Sequence, residues 1–254
     1  MKLITLNTWG GKLLDSLAEY IKNNQDVDIF CLQEMYYSFL NNKVISRGMR
    51  GDLFNVISKI LKNHRGYFAP HLKQYDLEGK VDFELDSGLA IFVKNTLIVK
   101  ECGDLFIYRE GYDLLDEKIE TIPRNLQYLS FSKNNKQYLI SHFHGIWYPK
   151  AKLDTQDRIQ QSKKIKEFLS GRREAKILCG DFNLLPQSES MQLLELGMKN
   201  LIIEFKVKTT RNDLYKREEK YSDYILTSPG INIQKFEVDN VTVSDHLPLL
   251  LEFT

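Results

Sequence analysis

The stretch ILCGDFNLLP, residues 177–186, passes from an apolar run directly into Asp181, Phe182 and Asn183 and ends at Pro186. A short apolar run bounded by polar residues and proline is typical of a buried β-strand. Asp and Asn favour turns, so we expect the strand to end at Asp181. Eight further runs of this kind predict strands elsewhere in the chain: KLITLN, VDIFCLQ, GLAIFVK, LQYLSFS, QYLISHF, SDYILTS, IQKFEV and PLLLEF.

Between these runs, apolar residues recur with helical spacing and predict four helices. They are expected at about residues 13–21, 53–61, 154–170 and 188–196. Asn134 and Asn135 separate two strand patterns and tolerate a tight turn, which predicts a β-hairpin. Strands interspersed with helices, and apolar enough to be covered on both faces, predict an α/β fold with mixed sheets.

The composition favours a single folded unit. The chain has 254 residues, 43% of them hydrophobic, and no linker-like stretch or repeat divides it, so we expect one domain over residues 1–254. Met1 leads directly into a predicted strand, and no apolar run reaches membrane-spanning length. The three cysteines include no C-x-x-C pair and are expected to be reduced. The sequence therefore predicts a cytoplasmic protein without stable membrane insertion.

The charge is nearly balanced. With 35 basic and 34 acidic residues, the formal net charge of +1 gives no global field that would attract a polyanion. Any binding of nucleic acid would have to be local. The most basic stretch, KKIKEFLSGRREAK at residues 163–176, fits either a solvated helix face or a phosphate-binding surface.

Polar residues follow or end several of the predicted strands. They are Asn7, Gln33, Glu34, His142, His144, Asp181, Asn183, Asp223, Asp245 and His246. Taken singly, each fits an ordinary turn, a solvated position or a hydrogen-bonded core position. Strand ends at one edge of an α/β sheet converge on a common crevice, however. There, Glu34, Asp181 and Asp245 would repel one another unless a cation neutralised them, and oxygen ligands favour Mg²⁺ or Mn²⁺. This chemistry suits phosphoester hydrolysis.

These residues resemble the motifs of the endonuclease/exonuclease/phosphatase superfamily, the metal-dependent phosphoesterases related to type I deoxyribonuclease. The resemblance covers nearly the whole chain, because the motifs occur in order: LNTWGG, LQEM, SGLAIFVK, SHFHG, GDFN, SDYIL and SDHLP. It implies a four-layer α/β sandwich, in which two mixed β-sheets pack face to face with helices outside and the catalytic crevice lies at one edge.

The resemblance also implies roles for the metal and the attacking water. Glu34 is the implied principal ligand of Mg²⁺ or Mn²⁺, assisted by Asn7, and Asp245 would complete the metal shell directly or through water. Asp181 is implied to orient or deprotonate the attacking water, while Asn183 holds the water or a phosphate oxygen in line.

Two histidines complete the implied catalytic set. His246 would pair with Asp223, which fixes its tautomer and raises its pKa so that an imidazolium can face the phosphorane. His142 is implied to donate to a non-bridging oxygen or to the leaving group. Further candidates for substrate binding are His144, Arg211, Trp147 and Tyr36, because aromatic rings could stack on bases and arginine could bind a flanking phosphate.

The family resemblance implies the bond that is broken and leaves the substrate open. We expect a metal-dependent phosphodiesterase that acts on a nucleic-acid or nucleotide-like substrate, possible partners being DNA and RNA. The alternative is a phospholipid esterase of the sphingomyelinase kind or a sugar-phosphate esterase. A catalytically dead binding module is a third hypothesis, although the expected catalytic residues are all present. No protein partner is implied.

Overall fold

The computed structural model describes residues 1–149 and 151–254. In these residues it contains five α-helices, α1 to α5: Leu14–Asn23, Leu53–Ile60, Gln156–Ser170, Glu189–Glu195 and Leu201–Glu204. The strands β1 to β14 are Lys2–Asn7, Ile29–Tyr37, His64–Lys73, Tyr75–Asp76, Gly79–Lys80, Asp86–Lys94, Val99–Tyr108, Arg124–Lys133, Lys136–His144, Ala175–Asp181, Lys199–Asn200, Asp223–Thr227, Ile233–Val238 and Leu249–Phe253.

Two six-stranded sheets form the centre of the molecule. The first has the order β13-β14-β1-β2-β6-β3, and the second has the order β11-β12-β10-β9-β8-β7. Both are mixed, because β1 and β2 pair in parallel, as do β9 and β10, while the other pairings within the two sheets are antiparallel. The strands β4 and β5 form a small separate ribbon.

Alternate residues of one strand belong to different layers of the core. In β2, Ile29 and Cys31 belong to the cluster that also contains strand residues of the second sheet. Their neighbours Phe30 and Leu32 pack with residues of α1 and α2 on the opposite face. Burying a side chain of this size stabilises the fold by ~1.5–3 kcal/mol. The first sheet is therefore covered on both faces, and with α3 and α4 outside the second sheet the predicted four-layer sandwich is confirmed.

The predicted hairpin is also confirmed. The strands β8 and β9 pair antiparallel up to Lys133 and Lys136, and Asn134 and Asn135 have positive φ angles of 51° and 60°. Asparagine tolerates this conformation better than most residues, which explains the asparagine pair at the turn.

The third helix is shorter than predicted. It begins at Gln156, after Thr155 accepts a hydrogen bond from the backbone N–H of Arg158. Asp154, expected inside the helix, instead accepts hydrogen bonds from the backbone N–H groups of Glu189 and Ser190 at the start of α4. A carboxylate is favourable there because those N–H groups have no partner within the helix.

Five strands are absent from the sequence prediction: β3, β7 and the two-residue strands β4, β5 and β11. Both β3 and β7 lie at the edges of their sheets. An edge strand needs no continuous apolar run, since one side faces solvent, and β3 contains Gly66 and Pro70, which interrupt the usual strand pattern.

Candidate active site

The polar strand ends meet at one edge of the two sheets. In the first sheet, the parallel strands β1 and β2 carry Asn7 and Glu34 toward this edge, and the chain returns there before the antiparallel strand β14. In the second sheet, β9 and β10 end at His144 and Asp181, which are paired in register, and Asp223 begins the antiparallel β12 beside them. The topology thus gathers residues separated by more than two hundred positions.

A cavity of about 620 Å³ opens at this edge. Nine of the predicted site residues line it: Glu34, Tyr36, His144, Trp147, Asp181, Asn183, Arg211, Asp245 and His246. Three do not line it: Asn7, His142 and Asp223. Asn7 and Asp223 lie immediately behind the lining residues and bond to them, whereas His142 lies deeper between the sheets.

Glu34 is directed by a β-bulge. The pairing of β2 with β6 shifts between Leu32 and Met35, and Glu34 within this shift has a φ of 53°. A bulge turns a side chain out of the regular alternation and is common beside functional sites. The positive φ is strained for a residue other than glycine, and the hydrogen bond from Asn7 Nδ2 to Glu34 Oε1, 3.0 Å, helps to hold the arrangement.

Asp181 is held at both carboxylate oxygens. Oδ1 accepts hydrogen bonds from the Ser222 hydroxyl and from the backbone N–H of Asn183, and Oδ2 accepts one from Asn7 Nδ2 at 3.0 Å. Burial alone would raise the pKa of Asp181, but the neighbouring His246 and other cationic groups outweigh it and hold the pKa below its ordinary value. The carboxylate is therefore ionised and fixed in direction.

His246 pairs with Asp223, as the sequence predicts. Its Nδ1 lies 2.9 Å from both carboxylate oxygens of Asp223, and its Nε2 lies 3.6 Å from Asp181 Oδ2. Burial, followed by Arg211, would lower the pKa of His246, but Asp223, Asp181 and Asp245 outweigh them and raise it. The ring therefore presents Nε2 to the cavity and favours the imidazolium form.

His142 does not reach the cavity. It is fully buried, its Nε2 is 2.8 Å from Gln127 Oε1, and its Nδ1 is 3.0 Å from Gln33 Nε2. Because both ring nitrogens have partners and burial lowers the pKa of His142 to about 3, the ring is a neutral part of the core. In this structure His142 therefore has no access to the cavity, and the phosphate contact that the resemblance implies for it stays a prediction.

His144, two residues along the same strand, occupies the cavity instead. Its Nε2 lies 3.6 Å from Asp181 Oδ2, and its Nδ1 is buried without a hydrogen bond among the described residues. Burial, then the nearby Arg124, lowers the pKa of His144 well below its ordinary value. Side chains alternate along a strand, so residues 142 and 144 share a face, but only the second lies beyond the interior packing.

Arg211 is bound within the protein. Its Nη1 donates to Asp245 Oδ2 at 3.0 Å and its Nη2 to the Ser222 hydroxyl at 3.1 Å. This leaves Asp245 Oδ1 buried without a hydrogen bond among the described residues. Arg211 therefore orients Asp245 and Ser222, in addition to lining the cavity.

A model of the endonuclease/exonuclease/phosphatase family matches residues 4–246. The chain belongs to this family. Members of the endonuclease/exonuclease/phosphatase family are hydrolases that act on phosphoesters. No curated protein gives a significant match to the sequence.

Solved structures of the family share the fold over the whole chain. The mannosyl-6-phosphatase of Bacteroides thetaiotaomicron has a TM-score of 0.71 at 19% identity, covering 100% of this chain and 99% of that one. The human Nocturnin catalytic domain has a TM-score of 0.63 at 18% identity, with coverages of 100% and 93%. A humanized D. rerio TDP2 has a TM-score of 0.67 at 12% identity, with coverages of 100% and 98%. At these identities the likeness establishes the fold alone.

The residues at the cavity fit the divalent cation on which enzymes of this family generally depend. Asn7 Nδ2 lies 3.0 Å from both Glu34 Oε1 and Asp181 Oδ2, so these two oxygens are no more than 6.0 Å apart. Burial, opposed by Asn7 and His246 but reinforced by Asp245 and Asp181, raises the pKa of Glu34. A cation would relieve this repulsion, and Asp245 Oδ1, which accepts no hydrogen bond from the described residues and lies 3.8 Å from His246 Nε2, offers it a further oxygen.

A second group of possible ligand atoms has another use. Asp181, Asp223 and His246 each bring one such atom within 4.8 Å of the others. Both oxygens of Asp223, however, contact Nδ1 of His246. This pair is therefore better suited to orienting an imidazole than to holding a metal. In Asn7, Nδ2 donates to both carboxylates and Oδ1 accepts the backbone N–H of Trp9, and the role of Asn7 as a metal ligand stays a prediction.

The cavity residues that the sequence analysis missed include three buried basic side chains, His71, Arg124 and Lys152. His71 lies on the unpredicted edge strand β3, and Arg124 begins β8 within PRNLQYLSFS, where an isolated arginine is usually exposed. Lys152 follows the SHFHG motif in a loop, with a φ of 51°. None of the three has a recognisable local pattern, and each is almost fully buried.

Other sequence candidates lie away from the cavity. Within the basic stretch at residues 163–176, no residue lines it, and Arg172 pairs with Glu101 and Glu174 instead. Arg50 binds Asp52. Among the described residues, no helix has the length and apolarity needed to cross a bilayer.

Proposed function

We propose that this chain is a divalent-metal-dependent hydrolase that cleaves a phosphoester bond by in-line attack of an activated water. The proposal treats residues 1–254 as one catalytic domain. The observation that carries it is the convergence of Glu34, Asp181 and His246 on one cavity, linked through Asn7 and through contacts of 3.6 Å or less. Distant parts of the chain supply these groups, and phosphoryl transfer requires such groups to be held in fixed positions around the reacting atoms.

In this proposal, Asp181 orients the attacking water. A carboxylate with a lowered pKa is a weak base, so it holds the water in line and accepts a proton only as the new P–O bond forms. Asn183, whose backbone N–H bonds to Asp181, lies beside it with a φ of 52° and is assigned to hold the water or a phosphoryl oxygen. Glu34 and Asp245 would hold Mg²⁺ or Mn²⁺, which polarises the phosphoryl group.

The histidines stabilise the charge that develops on phosphorus. His246 Nε2 donates to a non-bridging oxygen, while Asp223 keeps the ring oriented through Nδ1. His144 takes the contact that the sequence analysis assigned to His142, because it lines the cavity and His142 does not. One well-placed donor of this kind is typically worth ~3 kcal/mol of transition-state stabilisation.

For the substrate, we propose a nucleotide-like phosphoester that enters the cavity. Trp9, Tyr36, Trp147 and Tyr148 line it and offer faces on which a base could stack. The basic stretch on α3 is remote, which argues for a small or single-stranded substrate rather than a long duplex. A sugar phosphate is the second candidate, because the cavity of about 620 Å³ is of a size suited to small molecules.

The test is hydrolysis by the purified chain with Mg²⁺ or Mn²⁺ against a panel. The panel contains single-stranded and duplex DNA, RNA, a 5′-tyrosyl oligonucleotide, sphingomyelin, inositol phosphates and sugar phosphates, with Asp181→Asn as the control. We expect metal-dependent release of a phosphoester product that Asp181→Asn abolishes. Activity that persists in this variant, or inactivity of the parent protein across the panel, would contradict the proposal.

A further inference from the structure

Two buried cationic side chains of the cavity, Arg124 and Lys152, form no ion pair with a carboxylate among the described residues. Arg211 pairs with Asp245, and Asp223 with His246. Among the described residues, Lys152 Nζ donates only to a carbonyl, that of Tyr221 at 2.9 Å, and it packs over the Tyr215 ring. The guanidinium of Arg124 makes no hydrogen bond or ion pair with any residue that the structure describes.

The isolation of Arg124 is unusual because burial of a charge costs several kcal/mol unless it is paired. Arg124 is 3% exposed and lines the cavity. Burial lowers the pKa of Arg124 to about 10, opposed by Glu34 and Asp181, so the side chain is charged at neutral pH. Its position near Glu34 and Asp181 places it beside the reacting groups.

Another buried arginine shows how this chain treats a structural guanidinium. Arg158 is 1% exposed and donates to three carbonyls, those of Ile146, Pro149 and Leu153. All three acceptors belong to the loop before α3. Among the described residues, no carbonyl accepts a hydrogen bond from the guanidinium of Arg124. The water-accessible space of the cavity lies in front of it instead.

His71 adds a neutral acceptor beside Arg124. Asn125 Nδ2 donates to three acceptors, the carbonyls of Ala69 and Pro70 and the Asp104 carboxylate. The Oδ1 of Asn125 therefore faces His71 and accepts a hydrogen bond from its Nδ1–H at 3.3 Å. Nε2 of His71 is then a free acceptor in a residue that lines the cavity. We call Tyr36, His71 and Arg124 the Arg124 wall.

We propose that Arg124, within the Arg124 wall, binds a second negative charge of the substrate, so that the site favours a phosphoester bearing two charges over one bearing a single charge. This rests on the proposed function. Glu34 and Asp181 together balance one divalent cation, and Lys152 balances one negative charge of the substrate. Arg124 is left for the second charge, which can lie on the same phosphorus, as in a phosphomonoester, or on a neighbouring phosphate.

Two substrate pairs distinguish these sources. One pair is p-nitrophenyl phosphate and bis(p-nitrophenyl) phosphate, and the other is the dinucleotide TpT with and without a 5′-phosphate. The measured quantity is kcat/KM of the more highly charged substrate divided by kcat/KM of the less charged substrate in each pair. This ratio is compared between the parent protein and Arg124→Met, so that the difference in intrinsic reactivity of the two substrates cancels. We expect Arg124→Met to reduce the ratio at least tenfold in one pair and Arg124→Lys to keep most of it. Equal losses on both members of both pairs would overturn the proposal.

A binding measurement separates this inference from the proposed function. Inorganic phosphate is titrated calorimetrically into the parent, Arg124→Met and Arg124→Lys proteins in the presence of Mg²⁺. We expect Arg124→Met to weaken binding at least tenfold even if no substrate in any assay is turned over, and unchanged affinity would refute the assignment. The melting temperature of Arg124→Met should not fall, because no internal bond is lost. A marked fall would show a structural arginine and would also refute it.

Discussion

The two sides of the cavity satisfy their polar groups in opposite ways. Around Asp181 and His246, most hydrogen-bonding positions are filled by protein: Ser222, Asn183 and Asn7 hold one, and Asp223 holds the other. On the Arg124 wall, the guanidinium of Arg124 and Nε2 of His71 have no partner among the described residues. Groups proposed to perform chemistry are fixed before substrate arrives, whereas groups proposed to recognise it are left for the substrate to satisfy.

The contrast is tested most severely at Asp181. We expect Asp181→Asn to lower kcat by about 1000-fold, because the amide keeps the shape but cannot accept the water proton or attract the cation. Steady-state kinetics on the best substrate of the panel would measure this. The melting temperature controls for folding, and a loss of less than tenfold with intact folding would remove Asp181 from the centre of the mechanism.

The comparison of the two buried arginines, Arg158 and Arg124, gives the next largest expected effect, which is on the free energy of unfolding. Arg158→Met should lower the free energy of unfolding by about 3 kcal/mol, since three buried carbonyls lose a charged donor. Arg124→Met is the matched control and should not lower it. Urea denaturation measures both, and equal destabilisation of the two variants would erase the distinction between a satisfied and an unsatisfied arginine.

The His246 and Asp223 pair should lose about 100-fold in kcat when either member is changed, to Gln and to Asn respectively. Their contact at 2.9 Å makes them one unit, so the double variant should be little worse than either single variant. Kinetics of the three proteins form a double-mutant cycle. Full additivity would show that Asp223 acts independently of the histidine.

The sequence predicts the group around Asp181 and His246 far better than the Arg124 wall. Asp181, Glu34 and His246 stand in short motifs at strand ends, and the rule that such ends converge was enough to bring them together. His71 and Arg124 have no such signature, because their role comes from burial without a partner, which only the packed structure reveals. The strand β3, which carries His71, was missed because it lies at the edge of its sheet and therefore needs no continuous apolar run.

The histidines of β9 show a finer limit of sequence reasoning. Residues 142 and 144 have the same type, strand and face, and they differ in distance from the sheet edge by one strand repeat, which is ~7 Å. Because of that distance, His142 contacts two glutamines, Gln33 and Gln127, whereas His144 lines the cavity. No local pattern encodes it, since it depends on where the opposite sheet stops covering the strand.

These two histidines also provide the smallest and most discriminating test. His144→Gln should lower kcat/KM by about tenfold with little change in melting temperature, because the glutamine amide donates from a different position beside Asp181 while the core is untouched. His142→Gln should lower the melting temperature, since Gln33 and Gln127 lose a well-placed partner inside the protein, and should leave kcat/KM of the folded fraction within about threefold. Thermal melts and kinetics on both variants complete the comparison. If His142→Gln instead lost activity at an unchanged melting temperature, the role implied by the family resemblance would return to His142, and the division between enclosed and cavity-facing groups would no longer explain the site.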